Sequence, residues 1–201
     1  MKKFLVLGAA VSAVLASPAL AGERVSFGAI VGVDSVQLEN DPTEVEGSES
    51  GAMYGLTAGY DFIDDAGFIM GIELEASDSS VKEDFADVLE AGDEIGLSAG
   101  RDLYAGARVG YLFSPQLLAY VKGGYSNGRI KASYSDSTGD YSANEDLDGF
   151  RVGAGLEYDF TAFRVRGEYR YTDYGTYLGD LVEGGVDVSR DQYIVSAVFG
   201  F

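Results

Sequence analysis

The segment from Gln192 to Phe201 limits the fold more than any other part of the sequence. Every second residue is apolar, whereas the residues between are mixed in polarity. Successive side chains of a β-strand point to opposite faces, so the segment predicts a strand with one apolar face. About ten residues is also the length of a tilted strand that crosses a membrane. The apolar positions are Tyr193, Val195, Ala197, Phe199 and Phe201.

The same ending recurs at three earlier points in the chain. An aromatic residue, a spacer and a second aromatic residue precede a predicted turn at 60–62, 111–113 and 158–160, as they also stand at 199–201. Aromatic rings collect at membrane interfaces, so we interpret these positions as four strand ends at one interface. Core aromatic residues of a soluble sheet are the alternative.

Alternating polarity predicts eight strands. Three short turns (63–67, 114–116 and 161–162) and four long loops (38–50, 78–94, 127–147 and 173–191) separate them. An even strand number, this asymmetry and one apolar face predict an all-β fold: an eight-stranded antiparallel transmembrane β-barrel with N- and C-termini in the periplasm. The predicted strands are 25–33, 53–62, 68–77, 103–113, 117–126, 150–160, 163–171 and 192–201.

Two details of the pattern lie outside these strands. The alternation of the fourth strand extends back to Ile95, interrupted by Arg101, which predicts that the sheet continues above the membrane. Helical periodicity around Phe85, Val88 and Leu89 predicts a short helix in the loop 78–94.

The N-terminal segment is predicted to be a secretory signal peptide. Lys2 and Lys3 precede an apolar run that is too short to cross a membrane as a helix, and an A-x-A cleavage site ends at Ala21. This predicts a signal peptide at 1–21 and a barrel domain at 22–201. A short N-terminal anchor is the alternative.

Charge and composition exclude several classes of function. Without residues 1–21, which hold two lysines and no acid, the chain carries 12 basic and 33 acidic residues, a net charge of −21. Nucleic acid binding needs clustered cations, so no nucleic acid partner is expected. The chain has no cysteine and no histidine, which removes disulfides, the usual zinc sites and Ser-His or Cys-His nucleophiles.

No cofactor, metal or catalytic residue is therefore predicted. Glu73 and Glu75 could in principle act as an acid/base pair, but two carboxylates on one sheet face with arginines nearby are more often structural. No phosphate-binding loop motif is present. The chain is expected not to be an enzyme.

Charged residues collect on the inward face of the predicted strands. In a barrel of eight strands the side chains fill the interior, so these residues predict a network of salt bridges. A narrow polar or ionic pathway is the alternative, and inward glycines at 106, 110, 153 and 155 would make room for such a path or for the arginines. The predicted network is Glu73, Glu75, Arg108, Lys122, Arg151, Glu157, Arg164, Arg166, Glu168 and Arg170.

The long loops are mostly acidic. Residues 38–50 hold five acids and no base, and residues 78–94 hold seven acids and one lysine. These clusters predict a solvated outer surface that divalent cations would bridge to lipopolysaccharide. No segment has the spacing of a calcium-binding loop, so specific calcium binding is the lesser alternative.

Three segments resemble the opacity-type outer-membrane proteins of alpha-proteobacteria. They are GFRVGAGLEY at 149–158, RGEYRYTDYG at 166–175 and RVGY at 108–111, together with Phe201. The resemblance implies an eight-stranded barrel, extracellular loops and a C-terminal aromatic assembly signal, which we place at Tyr193, Phe199 and Phe201 for the barrel-assembly machinery. The sequence departs from this family in having no tryptophan and unusually acidic loops.

We therefore expect a non-enzymatic protein of the bacterial outer membrane with a structural and surface-interaction role, in contact with outer-membrane lipid and lipopolysaccharide. The alternative is a small-solute or ion pore that uses the charged interior. A soluble eight-stranded ligand carrier would place its apolar residues inside, and the charged residues on the minority face disfavour it.

Overall fold

The computed structural model describes residues 22–40, 45–86, 94–136, 139–177 and 186–200. The predicted signal peptide at 1–21 lies outside these residues. Within them the chain forms nine strands, and every strand pairs antiparallel with its neighbours. The strands are β1 (Glu23–Asn40), β2 (Val45–Ile63), β3 (Phe68–Ser79), β4 (Lys82–Ala86), β5 (Glu94–Ser114), β6 (Leu117–Asp136), β7 (Gly139–Asp159), β8 (Arg164–Tyr177) and β9 (Val186–Gly200).

The sheet closes into a barrel through the pairing of β3 with β5. The short strand β4 pairs with β5 beyond the end of β3, so β3 and β4 together occupy one position of the barrel. The predicted eight-stranded antiparallel barrel is thus confirmed. The register leads from Asp34 on β1 around the barrel and back to β1 at Arg24, a stagger of ten residues.

The outer face of the barrel is apolar. Leu56 is 67% exposed and Met70 is 62% exposed, while their neighbours along each strand point into the lumen. A continuous apolar exterior of this kind is stable only against lipid, because soluble proteins rarely expose such large apolar patches to water. Within the described part of the chain, no helix is long and apolar enough to cross a membrane.

Aromatic rings surround the end of the barrel that carries the short turns, which we call the turn end. Phe160 stacks on Phe163 at 5.4 Å between ring centroids, and Phe163 lies 6.4 Å from Phe199. On another side of the barrel Phe68 and Tyr111 approach to 5.0 Å. The predicted aromatic strand ends that the structure describes therefore lie together at this end.

The opposite end, which we call the loop end, differs from the prediction. Large parts of the predicted loops 38–50, 127–147 and 173–191 are paired strand, and β6 and β7 remain in register as far as Asp136 and Gly139. The apolar alternation stops where the outer face meets water, but backbone hydrogen bonding continues beyond it. The sheet therefore extends past the apolar band.

A bulge explains the interruption at Arg101. The register between β5 and β6 shifts between Ala99 and Asp102, which places Ala99 opposite Ile130 on the interior face. The predicted continuation of the sheet above the membrane is confirmed, because β5 begins at Glu94. The extra residue of the bulge exchanges the two faces, so Ala99 does not continue the outward series of the strand.

The predicted helix in 78–94 is wrong at Phe85. This residue lies in β4, where Lys82–Ala86 pairs with β5. The edge of β5 above the end of β3 offers unpaired backbone groups, and pairing with them overrides the weak helical periodicity. Val88 and Leu89 lie outside the described residues.

Candidate functional site: the charged interior

The ten charged residues that the sequence predicts for the interior all lie inside the barrel. None is more than 5% exposed. They project from β3, β5, β6, β7 and β8, because each occupies the lumen-facing position of the two-residue alternation. The structure brings all ten into one network of ion pairs.

Lys122 is the centre of this network. Its Nζ lies 2.8 Å from Glu73 Oε1, 2.8 Å from Glu75 Oε1 and 2.7 Å from a carboxylate oxygen of Glu168. The ammonium also lies 4.8 Å from the ring centroid of Tyr104, within the range of a cation–π interaction. Three carboxylates thus converge on one cation that is closed off from solvent.

Toward the turn end the network continues through arginines that share Glu157. Arg166 pairs with Glu73 and with Glu157, the second contact at 3.0 Å. Arg164 and Arg108 also reach Glu157, at 3.1 and 3.5 Å. One carboxylate therefore serves several cations in this half of the barrel.

Toward the loop end the cations and carboxylates are equal in number and share their contacts. Arg170 contacts Glu75 at 2.7 Å and also pairs with Glu168. Arg151 pairs with Asp102 and donates a hydrogen bond of 2.8 Å to the hydroxyl of Thr172. Ion pairs thereby continue upward from Lys122 without interruption.

Six further residues belong to the network, although the sequence did not predict them as members. At the turn end Arg24 and Arg108 pair with Asp61. At the loop end Arg190 pairs with Asp34 and lies 3.6 Å from Asp102. The two-residue alternation of each strand would have identified these residues, because each occupies a position in phase with the inward residues of its own strand. They are Arg24, Asp34, Asp61, Asp102, Arg190 and Gln192.

Two tyrosine rings occupy the space beside inward glycines. A Cβ at Gly155 would lie 2.6 Å from Tyr120 Oη, and a Cβ at Gly106 would overlap Tyr104 Oη. Arg108 and Arg166 each lie 5.3 Å from the centroid of the Tyr120 ring. The predicted room for a path or for arginines is thus taken here by the tyrosines.

Apolar side chains cover the network at the loop end. Leu147, Tyr174 and Val188 form a buried cluster, and Ile130 packs against it. These residues project inward from the parts of β6, β7, β8 and β9 nearest the loop end. On the side of β6 to β9, an apolar layer therefore lies above the charged lumen at this end.

A polar patch on the outer face marks the upper limit of the apolar band. Arg129 donates hydrogen bonds of 2.6 and 3.0 Å to the carboxylate of Asp146, and Arg101 lies 3.5 Å from the same carboxylate. Above the lipid-facing positions, this hydrogen bonding with Arg129 lowers the pKa of Asp146. The pKa of Asp148 is lowered by hydrogen bonds from Tyr125 and Asn127. The outer polar patch consists of Arg101, Tyr125, Asn127, Arg129, Asp146 and Asp148.

Two of the three predicted assembly-signal residues are described. Tyr193 and Phe199 both face outward from β9, whereas Phe201 lies outside the described residues. The part of the chain that the structure describes contains no group of three or more His, Cys, Asp or Glu side chains that could hold a metal ion.

A closed eight-stranded barrel with an apolar exterior and a charged lumen defines the class of bacterial outer-membrane β-barrel proteins. The sequence profile of the outer membrane protein beta-barrel domain family matches residues 7–201. The chain belongs to this family, and its location is the bacterial outer membrane.

Similar proteins support this assignment. The 31 kDa outer-membrane immunogenic protein of Brucella melitensis is 29% identical over 149 residues, which cover 68% of this chain. The match spans 61% of the length of the Brucella protein. Ail, the attachment invasion locus protein of Yersinia pestis, was solved in complex with the heparin analogue sucrose octasulfate and has a TM-score of 0.52 at 13% identity, covering 88% of this chain and 99% of Ail.

Neisserial surface protein A has the same fold. Its TM-score is 0.52 at 15% identity, with 87% of this chain and 97% of the neisserial chain covered. At these identities the two solved structures show the shared barrel architecture.

Proposed function

We propose that the protein is a non-enzymatic outer-membrane barrel that acts structurally and makes its interactions through the loop end. The observation that carries this proposal is the network of ion pairs, which occupies the lumen along its length from Arg24 at the turn end to Asp34 at the loop end. The absence of histidine and cysteine from the sequence supports a role without catalysis.

The proposed topology places both termini and the turn end in the periplasm and the loop end outside the cell. It assigns residues 1–21 to a signal peptide and 22–201 to the barrel. The resemblance to opacity-type proteins of alpha-proteobacteria supports this orientation, and the outward aromatic residues Tyr193 and Phe199 fit a signal for the barrel-assembly machinery.

The proposed partners of the loop end are lipopolysaccharide and divalent cations that bridge to it. Residues 38–50 and 78–94 together hold twelve acids and one base, so this end repels polyanions at neutral pH. Ail was solved with a polyanionic heparin analogue, and the acidic segments here favour a different chemistry of recognition. Magnesium or calcium between these acids and anionic headgroups would supply it.

Cysteine labelling on intact cells tests the orientation. The described chain has no free cysteine, so Lys131→Cys at the loop end and Asp65→Cys at the turn end each introduce one reactive thiol. A membrane-impermeant maleimide is expected to label the first variant and not the second. Labelling of the second variant alone would reverse the proposed topology.

Binding to lipopolysaccharide tests the partner. Proteoliposomes with the wild-type protein are expected to bind lipopolysaccharide vesicles in magnesium and to release them in EDTA. A variant with the five acids of 38–50 changed to amides should bind less while still shifting in mobility between unheated and boiled gel samples. Equal binding by both proteins would contradict a role for these acids.

A small-solute or ion pore is the second candidate. Several buried polar atoms between Lys122 and the loop end have no hydrogen-bond partner in the described part of the chain, which favours water in the lumen. Planar-bilayer recordings of the folded protein are expected to be silent, and reproducible conductance steps that change in Arg166→Ala would support the pore. The atoms without a hydrogen-bond partner are Glu75 Oε2, Tyr104 Oη, Arg170 Nη1, Tyr174 Oη and Gln192 Oε1.

A further inference from the structure

The turn end of the barrel contains a cavity of about 450 Å³. It is bounded by the start of β1, by the turns 63–67 and 161–162 and by the end of β9. We propose that this cavity binds a small oxyanion, a carboxylate or phosphate group held by Arg24 and Arg164. The site lies at the opposite end of the barrel from the surface considered above and is independent of its function.

The first argument is the state of the two guanidinium groups. Arg24 and Arg164 both line the cavity. Arg24 Nε and Arg164 Nη2 are buried and have no hydrogen-bond partner among the described residues, although each residue also contacts Glu157 through another nitrogen. A buried donor without an acceptor is costly, and a charge-assisted hydrogen bond to an oxyanion would relieve that cost. Arg164 is almost wholly enclosed, with a side chain that is 4% exposed.

The second argument is the ratio of cations to carboxylates in the ion pairs of the described interior. In the loop-end half, four cations pair with four carboxylates. In the turn-end half, four arginines share three carboxylates, and one of these, Glu73, also pairs with Lys122. The loop-end set is Lys122, Arg151, Arg170 and Arg190 with Asp34, Glu75, Asp102 and Glu168; the turn-end set is Arg24, Arg108, Arg164 and Arg166 with Asp61, Glu73 and Glu157.

The shortage is concentrated at Glu157. Its carboxylate lies within 3.5 Å of all four arginines of the turn-end set. A carboxylate has about four lone-pair positions, and a guanidinium has five donors, so Glu157 cannot satisfy them all. One further anion at the cavity would complete the pairing of this half.

The acids at the rim weaken the binding of any anion. Asp64 accepts hydrogen bonds from the backbone of Ala66 and Phe68, and Asp159 accepts one from Thr161, so these two carboxylates hold the turns. Asp65 and Glu23 also line the cavity. Their repulsion opposes the attraction of the two arginines, so removal of a rim carboxylate is expected to strengthen anion binding.

Nuclear magnetic resonance of the side-chain Nε–Hε groups tests the site. The folded protein in maltoside micelles, which contain no phosphate, is titrated with acetate, inorganic phosphate, sulfate or a short-chain phosphatidylglycerol. Saturable shifts are expected at Arg24 and Arg164 and not at Arg129. Saturation by inorganic phosphate or acetate identifies a soluble ligand, whereas saturation by phosphatidylglycerol alone identifies a lipid headgroup.

Three variants separate the site from a general effect of salt. Arg24→Gln is expected to weaken binding of the saturating probe about tenfold, which corresponds to about 1.4 kcal/mol, whereas Arg129→Gln leaves it unchanged. Asp65→Asn changes an exposed residue of the cavity rim that lies outside the ion-pair network, and it should strengthen binding about twofold. Shifts that stay linear with every probe, or equal affinity in the wild-type and Asp65→Asn proteins, would overturn the proposal.

Discussion

Arg108 on β5 and Asp61 on β2 meet across the intervening strand β3, directly over Gly71. Gly71 is the register partner of both residues. Arg108 Nε donates a hydrogen bond of 2.8 Å to Asp61 Oδ1, and Nη2 donates a second to Oδ2. A Cβ at position 71 would overlap Asp61 Oδ1, so the missing side chain is what permits a bidentate pair between strands that are not neighbours.

This arrangement predicts that Gly71→Ala destabilises the barrel by about 1–3 kcal/mol, because the carboxylate of Asp61 must move away from Arg108. Urea unfolding in lipid vesicles measures the change. Gly123→Ala is the matched control, since its new Cβ would face outward at ordinary contact distance from Phe150.

A double variant identifies the cause of that loss. If the displaced pair is responsible, Gly71→Ala should cost less in the background of Asp61→Asn than in the wild-type protein. Fully additive losses would show that strain in β3 itself, and not the ion pair, accounts for the effect.

Lys122→Met should be among the most destabilising single changes in the lumen. It leaves Glu73, Glu75 and Glu168 without their shared cation, and removal of one partner from a buried ion pair costs about 3–5 kcal/mol. Unfolding in urea is expected to show this loss, with Lys131→Met at an exposed position of β6 as the control.

The same network predicts partial rescue. Glu168→Gln removes one of the three carboxylates, so the Lys122→Met/Glu168→Gln protein should be more stable than Lys122→Met alone. A double variant that is less stable than both single variants would contradict the role of Lys122 as the central counter-ion.

The sequence predicts the eight barrel strands because lipid and lumen impose opposite polarity on alternate residues. It does not predict where the strands end, since above the apolar band water contacts the outer face and polar residues suit both sides. The pairing of β6 with β7 therefore continues as far as Asp136 and Gly139, through a segment whose composition is typical of a loop.

The predicted interior network is incomplete for a related reason. Asp34 and Arg190 lie just beyond the apolar segments of β1 and β9, where the polarity pattern weakens although the parity of the strand continues. Asp102 keeps the parity of β5 but lies one residue before the predicted start of that strand, at the edge of the bulge. Which residues pair also depends on the stagger of the barrel, and the sequence of a single strand holds no information about that stagger.

Two glycines test the packing of the lumen, since Gly155 faces inward and Gly167 faces outward. Gly155→Ala would place a Cβ 2.6 Å from Tyr120 Oη and 2.7 Å from the carbonyl of Gly167. The free energy of unfolding is expected to fall by about 1–3 kcal/mol, because the Tyr120 ring is packed inside the lumen and has little room to move. In Gly167→Ala no atom of the described residues lies within 4 Å of the new Cβ, so this variant should be close to neutral. Equal stability of the two variants in urea would show that the lumen is loosely packed around Tyr120.

The outer polar patch predicts a pH dependence that is separate from the lumen. Hydrogen bonding with Arg129 lowers the pKa of Asp146, so this contact stabilises the β6–β7 hairpin above the ordinary carboxyl pKa. The contribution is lost as the pH falls through the lowered value. In Arg129→Gln the pKa of Asp146 should rise, as followed by carboxyl chemical shifts. Asp148 is the internal control, because its lowered pKa arises first from Tyr125 and Asn127, and it should keep that value. An unchanged Asp146 would show that Arg129 does not hold this carboxylate in solution.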